Sequence, residues 1–175
     1  MRPMIPDEPA DVDVTLLRRA FGAFPSGVIA LSALRDGAPA GMAVSSFTSV
    51  SLQPPLISVC VQNSSETWPE LRGSRRLGIS VLAQEQHQAC RTLSTKDGDR
   101  FAGLTWSAGE GGAVFVTGAA ASYDCSVHDE LPAGDHTIVL LRVHRLAIEP
   151  DTAPLVFHGS RFRRLDDRAE PVIPA

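Results

Sequence analysis

Hydroxyl side chains are concentrated between Gly41 and Pro55, where the chain reads GMAVSSFTSVSLQPP. A buried strand rarely carries so many, because each buried hydroxyl without a partner costs roughly 1–3 kcal/mol. The serines are therefore expected to turn towards a bound group while the β-branched and aromatic positions turn towards a core, although a half-exposed strand with solvated serines shows the same alternation. Further donors run from Asn63 through Ser65 to Thr67, and Thr67 with Glu70 has capping-box spacing. A helix start preceded by such donors can hold an anion such as a phosphate; most capping boxes hold nothing. Arg100 lies beside Phe101 in a turn-rich segment that also carries Lys96, where an Arg can clamp a phosphate, stack on a planar ring or remain a solvated charge. Gly134-Asp135-His136 puts an imidazole at the start of a strand next to a carboxylate that can orient it, as ordinary hydrogen-bonded turns also do.

Composition narrows the function classes. The chain has 175 residues, a net charge of -4 and three cysteines. That length suits one domain with a sizeable core. The acidic balance offers no basic surface for nucleic acid, and no RNA- or DNA-reading motif is present. Cys60, Cys90 and Cys125 lack the close pairing of a zinc site or redox dithiol, so they read as buried thiols in a reducing compartment. No apolar run approaches the roughly 18 residues of a membrane span, and the first residues show no apolar signal core. The expectation is a cytoplasmic protein with neither membrane nor nucleic-acid partners.

Several elements must position these residues. Residues 1–13 carry Pro3, Pro6 and Pro9 among acids and read as a flexible arm, and the acidic tail 166–175 reads likewise, leaving a domain over 14–165. A helix is expected from Thr15, with Leu16, Leu17, Ala20, Phe21 and Phe24 packed on the body and Pro25 ending it. Phe24-Pro25-Ser26-Gly27-Val28 then turns into a strand, with Gly27 allowing close backbone approach. Asp36-Gly37 predicts a hairpin. Leu56 to Val61 reads as a strand buried on both faces, Leu77 to Val81 as another, and Gln84 to Leu93 as a helix. Trp106 and the following glycines suggest a surface loop. A half-buried strand follows from Ala119, Leu131 to His136 forms a turn, and Thr137 to Ile148 is the last long strand. About seven strands with two or three helices predict a mainly β, Greek-key type barrel.

In their order along the chain, Phe24-Pro25-Ser26-Gly27-Val28, Gly41-Met42 to Phe47, Ser49-Val50-Ser51-Leu52 with Pro54-Pro55, Arg100-Phe101-Gly103 and Gly134-Asp135-His136 resemble the short-chain flavin reductases. The resemblance covers roughly Leu16 to Leu165. It implies a flavin-binding split barrel, usually a homodimer, that uses NADH or NADPH to reduce FAD or FMN and hands reduced flavin to a separate flavin-dependent monooxygenase. By that likeness Phe24, Pro25, Ser26, Gly27, Val28, Ser45, Ser46 and Phe47 lie along the isoalloxazine, with Ser51 and Leu52 nearby. Asn63, Ser65, Thr67, Arg100 and Phe101 serve the ribityl phosphate side, and Gly134, Asp135, His136 and Thr137 face the nicotinamide. No catalytic side chain and no metal is implied. Ser26 stands where the family commonly has Thr, Ser45 where it often has Asn, and Leu141 where a Gly is usual. A non-catalytic flavin- or haem-binding module on the same barrel is the alternative, because a fold does not fix a function.

Overall fold

The structure is a computed structural model and describes residues 13–165. The expected tail, and all of the expected arm except Asp13, lie outside those residues. Asp13 belongs to the domain: its Oδ1 accepts from Thr15 N at 2.8 Å and caps helix α1, Val14–Phe21.

The first hairpin follows directly from local chemistry. Strands β2 (Ile29–Arg35) and β3 (Ala38–Val44) pair antiparallel. They are joined by Asp36 and Gly37 at φ 50° and 81°, the two left-handed residues that a tight hairpin turn requires. The short strand β1, Ser26–Gly27, precedes them. After β3 come β4 (Thr48–Leu52) and β5 (Pro55–Gln62), then helix α2 (Thr67–Leu71), β6 (Leu77–Val81) and helix α3 (His87–Leu93). Strands β7 (Trp106–Ala108) and β8 (Val114–Val116) form a small hairpin. The long strands β9 (Ala121–Ala133) and β10 (His136–Ile148) follow, and β11 (Val156–His158) and β12 (Arg161–Arg163) end the described chain.

Seven strands make one antiparallel sheet in the order β3-β2-β6-β9-β10-β5-β4, and β1, β11 and β12 form a second, small sheet. The outer strands of the large sheet, β3 and β4, are consecutive in the chain with only Ser45, Ser46 and Phe47 between them. Four peptide steps span at most roughly 14 Å. The sheet must therefore curl until its two edges nearly meet, which makes it a barrel with one open seam.

Two cores lie on either side of β2. Ile29, Leu31 and Ala33 point into a barrel core with Val59, Leu77, Ile79, Val139 and Leu141. Val28 and Ala30 point outward to a second core with Leu93, Phe101, Val114 and Leu155. The strands buried on both faces are thus β2 and β6, whereas β5 alternates buried Ile57, Val59 and Val61 with exposed Cys60 and Gln62. The apolar run at 56–61 misleads because Ser58 and Cys60 occupy the outer face, so Cys60 is not the buried thiol that its composition suggests. Burial pushes the Cys125 thiol up to about 12.

Several elements differ from expectation. Among the described residues there are twelve strands, several of them two or three residues long and without periodic signal. Trp106 starts β7 instead of anchoring a loop, and it packs on the second core. Strand β9 runs on to Ala133, which shortens the turn to Gly134-Asp135. Helix α1 has no buried residue, and of its apolar side chains only Leu17 is even partly covered by the described residues. Leu141 is fully buried opposite Ile57 and Val127, next to a register shift in β10.

Gly78 in β6 allows β8 to cross it: a Cβ there would lie 1.9 Å from Val114 O. Gly78→Ala should cost at least the upper end of the ~1–3 kcal/mol typical of overpacking, read as a fall in the denaturation midpoint. Gly73→Ala, with nothing within 4 Å of its Cβ, should change stability little.

Candidate functional site

The seam between β3 and β5 opens into a cavity of about 700 Å³, within the range of small-molecule sites. One wall is the end of β3 with the crossing, Met42 to Ser46; the other is Cys60, Val61 and Gln62 followed by Ser64 to Thr67. Lys96, Asp97 and Arg100 close one end, and His136 also lines it. Smaller cavities share these walls: one of about 360 Å³ uses Val28, Ala43, Val44 and Ser45, and one of about 280 Å³ uses Thr67, Lys96 and Arg100.

Ser46 bridges the seam. Its Oγ accepts from Cys60 N at 2.8 Å and donates to Cys60 O at 3.1 Å. Pairing of β4 with β5 begins at Thr48 and Ser58, so the Cys60 backbone lies beyond it, and the hydroxyl takes the place of the missing strand. Ser46, expected to turn its hydroxyl towards a bound group, therefore has its one proton engaged within the barrel. Ser45 is exposed and lines two of the cavities.

At one end of the cleft a short turn carries the imidazole. Gly134 has φ 65° and Asp135 does not share the left-handed region, the pattern of a two-residue hairpin with Gly in its first position. Asn63 fastens the turn from outside. Its amide donates to Gly134 O at 3.1 Å, its Oδ1 accepts from Thr137 Oγ1 at 2.9 Å, and its backbone N–H reaches Asp135 O at 3.0 Å. Asp135 Oδ1 lies 2.8 Å from His136 Nδ1, and this hydrogen bond holds the Asp135 carboxyl below its ordinary range. Nε2 is left as the ring nitrogen that can meet a ligand.

The other end carries two cations, Lys96 and Arg100, with the carboxylates of Glu66 and Asp97 also on its walls. Phe101 is 5% exposed in the second core. That anchor delivers Arg100 to the cleft, where Nη1 donates to Thr67 Oγ1 and, at 3.3 Å, to Gly41 O. Among the described residues neither Arg100 nor Lys96 has a carboxylate within salt-bridge distance. Thr67 lies inside α2 and does not cap it; Ser65 Oγ accepts from Trp68 N at 3.1 Å instead. Two fixed hydroxyls and two cations without an ion-pair partner among the described residues at one end, with an oriented imidazole at the other, suit an elongated ligand with an anionic end and a planar polar ring.

The fold thus brings Ser45, Ser46, Ser65, Thr67, Arg100 and His136 to one cleft, with Val28 on the adjoining cavity. It does not bring the others. Phe24 is 78% exposed and, like Pro25, Ser26 and Gly27, lines none of these cavities. Ser26 and Gly27 pair instead with Phe157 and Val156, and nothing among the described residues lies within 4 Å of a Cβ at Gly27. Phe47 packs against the barrel core, its ring 5.9 Å from that of Tyr123. Ser51 and Leu52 lie at the far end of edge strand β4, and Phe101 acts as an anchor. Asn63 and the Thr137 hydroxyl are committed to the turn, and Gly134 and Asp135 build it. Gln62 was not expected at the site, Cys60 entered only as a thiol and Met42 only within a motif; the alternation of β5 and β3 is the signal that could have placed them on the seam.

Comparison with known proteins agrees with this geometry. The family described as Flavin reductase like domain matches residues 21–166. The chain belongs to that family. A flavin reductase of Pseudomonas putida is 37% identical over 152 residues, covering 86% of this chain and 89% of its own. The reductase subunit HsaB of a flavin-dependent monooxygenase from Rhodococcus jostii is 32% identical over 161 residues, covering 91% of this chain and 83% of its own. The solved NADH:FAD oxidoreductase of Streptomyces globisporus, in complex with NAD and FAD fragments, superposes with a TM-score of 0.85 at 37% identity, covering 90% of this chain and 96% of that one. The flavin reductase fold here is therefore the split barrel that the motifs imply, with its split at the Ser46 seam.

Ser46→Ala removes a donor and an acceptor from the Cys60 backbone at once. It should lower the stability of the ligand-free protein by about 1–3 kcal/mol in denaturant titration, while Ser45→Ala leaves it nearly unchanged.

Proposed function

We propose that the protein is an NAD(P)H-dependent flavin reductase that receives FAD or FMN in the seam cleft and passes reduced flavin to a separate flavin-dependent monooxygenase. The observation that carries this reading is the polarity of the cleft: free cations with fixed hydroxyls at one end, an oriented imidazole at the other. A flavin has the matching shape, a planar ring joined through a polyol to phosphate. When bound, flavin and reduced nicotinamide supply the redox chemistry, a hydride passing between stacked rings. The chain's task is to bind, orient and exclude water.

In this reading Arg100 and Lys96 neutralise the phosphate, with Ser65 and Thr67 at the same end. Arg100 is already held by Thr67 and Gly41, so little ordering cost remains when a ligand arrives. Ser45 and the backbone of the crossing border the ring, where peptide N–H groups favour the more electron-rich reduced state. His136, its Nδ1 held by Asp135, presents Nε2 to the nicotinamide and orients it. Phe24 to Gly27, Phe47, Ser51 and Leu52 reach the flavin in this reading only through a second copy of the chain or a movement on binding.

A homodimer is part of the proposal. Leu16, Phe21 and Phe24 on and after α1 are 45%, 72% and 78% exposed, and Leu52 on edge strand β4 is 91% exposed. Large apolar side chains left this exposed are candidates for an interaction face. Replacing Phe21 and Phe24 together by Glu should convert a dimer to a monomer in sedimentation; a wild type that is already monomeric overturns this part. No described helix is long and apolar enough to cross a membrane. The free thiols, Cys60 exposed among them, suit a reducing compartment, and the cytoplasm is the proposed location.

The test of the function is consumption of NADH or NADPH, followed at the nicotinamide absorbance band, on adding catalytic protein to excess free flavin. Flavin that stays bound through desalting and supports no turnover would sink the proposal. His136→Ala should raise KM for the nicotinamide several-fold, leave the flavin Kd nearly unchanged, and recover the transfer rate at saturating NAD(P)H. Loss of flavin binding in that variant would show that the imidazole belongs to the other cofactor.

A further inference from the structure

We infer that Glu130 fixes the phosphate end of the cleft, a positioning role for a side chain that does not line it. Glu130 lies on β9 opposite Val139 of β10, so the long hairpin determines its place. Its two carboxylate oxygens hold two different donors, one in helix α2 and one at its C-cap. Trp68 Nε1 donates to Oε1 at 2.8 Å, and Arg72 Nη2 donates to Oε2 at 2.6 Å. Charge-assisted bonds of this kind are roughly twice as strong as neutral ones.

Helix α2 has five residues and no independent stability. Trp68 and Arg72 are four residues apart and share a face, so attachment at both points fixes the rotation of the helix about its axis. Trp68 and Leu71 fix its depth in the barrel core. Thr67 is the residue next to Trp68, and its hydroxyl accepts from Arg100, which also reaches Gly41 O. A rotation of α2 moves the Thr67 hydroxyl and removes one of the two bonds that hold the Arg100 guanidinium. The contacts therefore run from the hairpin carboxylate through α2 to the cation that faces the ligand. Asn63 ties the start of the same wall segment to the Gly134 turn, so both ends of that segment hang from the β9–β10 hairpin.

The inference rests on the reading that Thr67 and Arg100 serve the flavin phosphate, and it makes a selective prediction. Riboflavin has the ring and polyol but no phosphate. In steady-state assays with fixed NADH, Glu130→Ala should raise KM for FMN or FAD about tenfold. KM and kcat with riboflavin should stay unchanged, because the ring end of the cleft is untouched. Glu130→Gln, which keeps an oxygen for the buried indole N–H but no charge for Arg72, should fall between, and Arg72→Met should match it. If Glu130→Ala does not fold, those two variants decide the question. A parallel rise in KM for riboflavin would show that Glu130 only props the fold and would overturn the role. So would variants that keep the full preference of the wild type for phosphorylated flavin. A wild type without such a preference would overturn the phosphate reading itself, and this inference with it.

Discussion

Everything about this molecule depends on a crossing of three residues. Ser45, Ser46 and Phe47 join the two outermost strands of a seven-stranded sheet, and that short tether allows only a curled sheet whose edges face each other. A longer connection would allow an open, twisted sheet with exposed edges, which proteins must otherwise protect. Here the remaining gap is bridged by one hydroxyl, that of Ser46 on the Cys60 backbone. The cleft is the part of the gap that the bridge does not fill. Barrel closure and ligand site are thus two results of one tether.

The charged end of the cleft depends on a different part of the structure. Arg100 hangs between Phe101, buried in the outer core, and the Thr67 hydroxyl on α2. An Arg tethered only by its own flexible stem would lose much rotamer freedom on meeting an anion. Tethered at both ends, it is already close to one arrangement. The imidazole end uses the same device in smaller form, with Asp135 holding one ring nitrogen and Asn63 holding the turn. Neither arrangement needs strain. Both rest on residues distant in sequence meeting at one seam.

What was legible in the sequence was local. Asp36-Gly37 specifies a turn because few residues tolerate two left-handed positions, and Asp135 finds His136 because they are neighbours. Ordered motifs made the family recognisable and with it the barrel and the cofactor class. Long-range pairing was not legible. Nothing near Ser46 announces Cys60 as its partner, fourteen positions on, and nothing near Thr67 shows that its hydroxyl serves Arg100 and not the helix cap. The apolar run of β5 looked central because hydrophobicity alone does not distinguish a strand covered on both faces from one whose second face has a Ser and a Cys. Phe24 to Gly27 matched a motif but line none of the cavities at the seam, since a pattern along the chain does not record where the fold will carry it.

Strand β2, with Val28 just before it, stands between both cores, Ile29, Leu31 and Ala33 lying in one and Val28 and Ala30 in the other. Neither core can melt while the other keeps its wall, so the domain should lose its structure in a single cooperative transition. Occupation of the cleft, which touches β3 and β5 alone among the barrel strands except for His136, is then felt by residues as remote as Leu155. The whole domain gains RT ln(1 + [L]/Kd) from any ligand that binds only the folded form. Inside a cell, the level of intact protein would in that way follow the supply of its own cofactor.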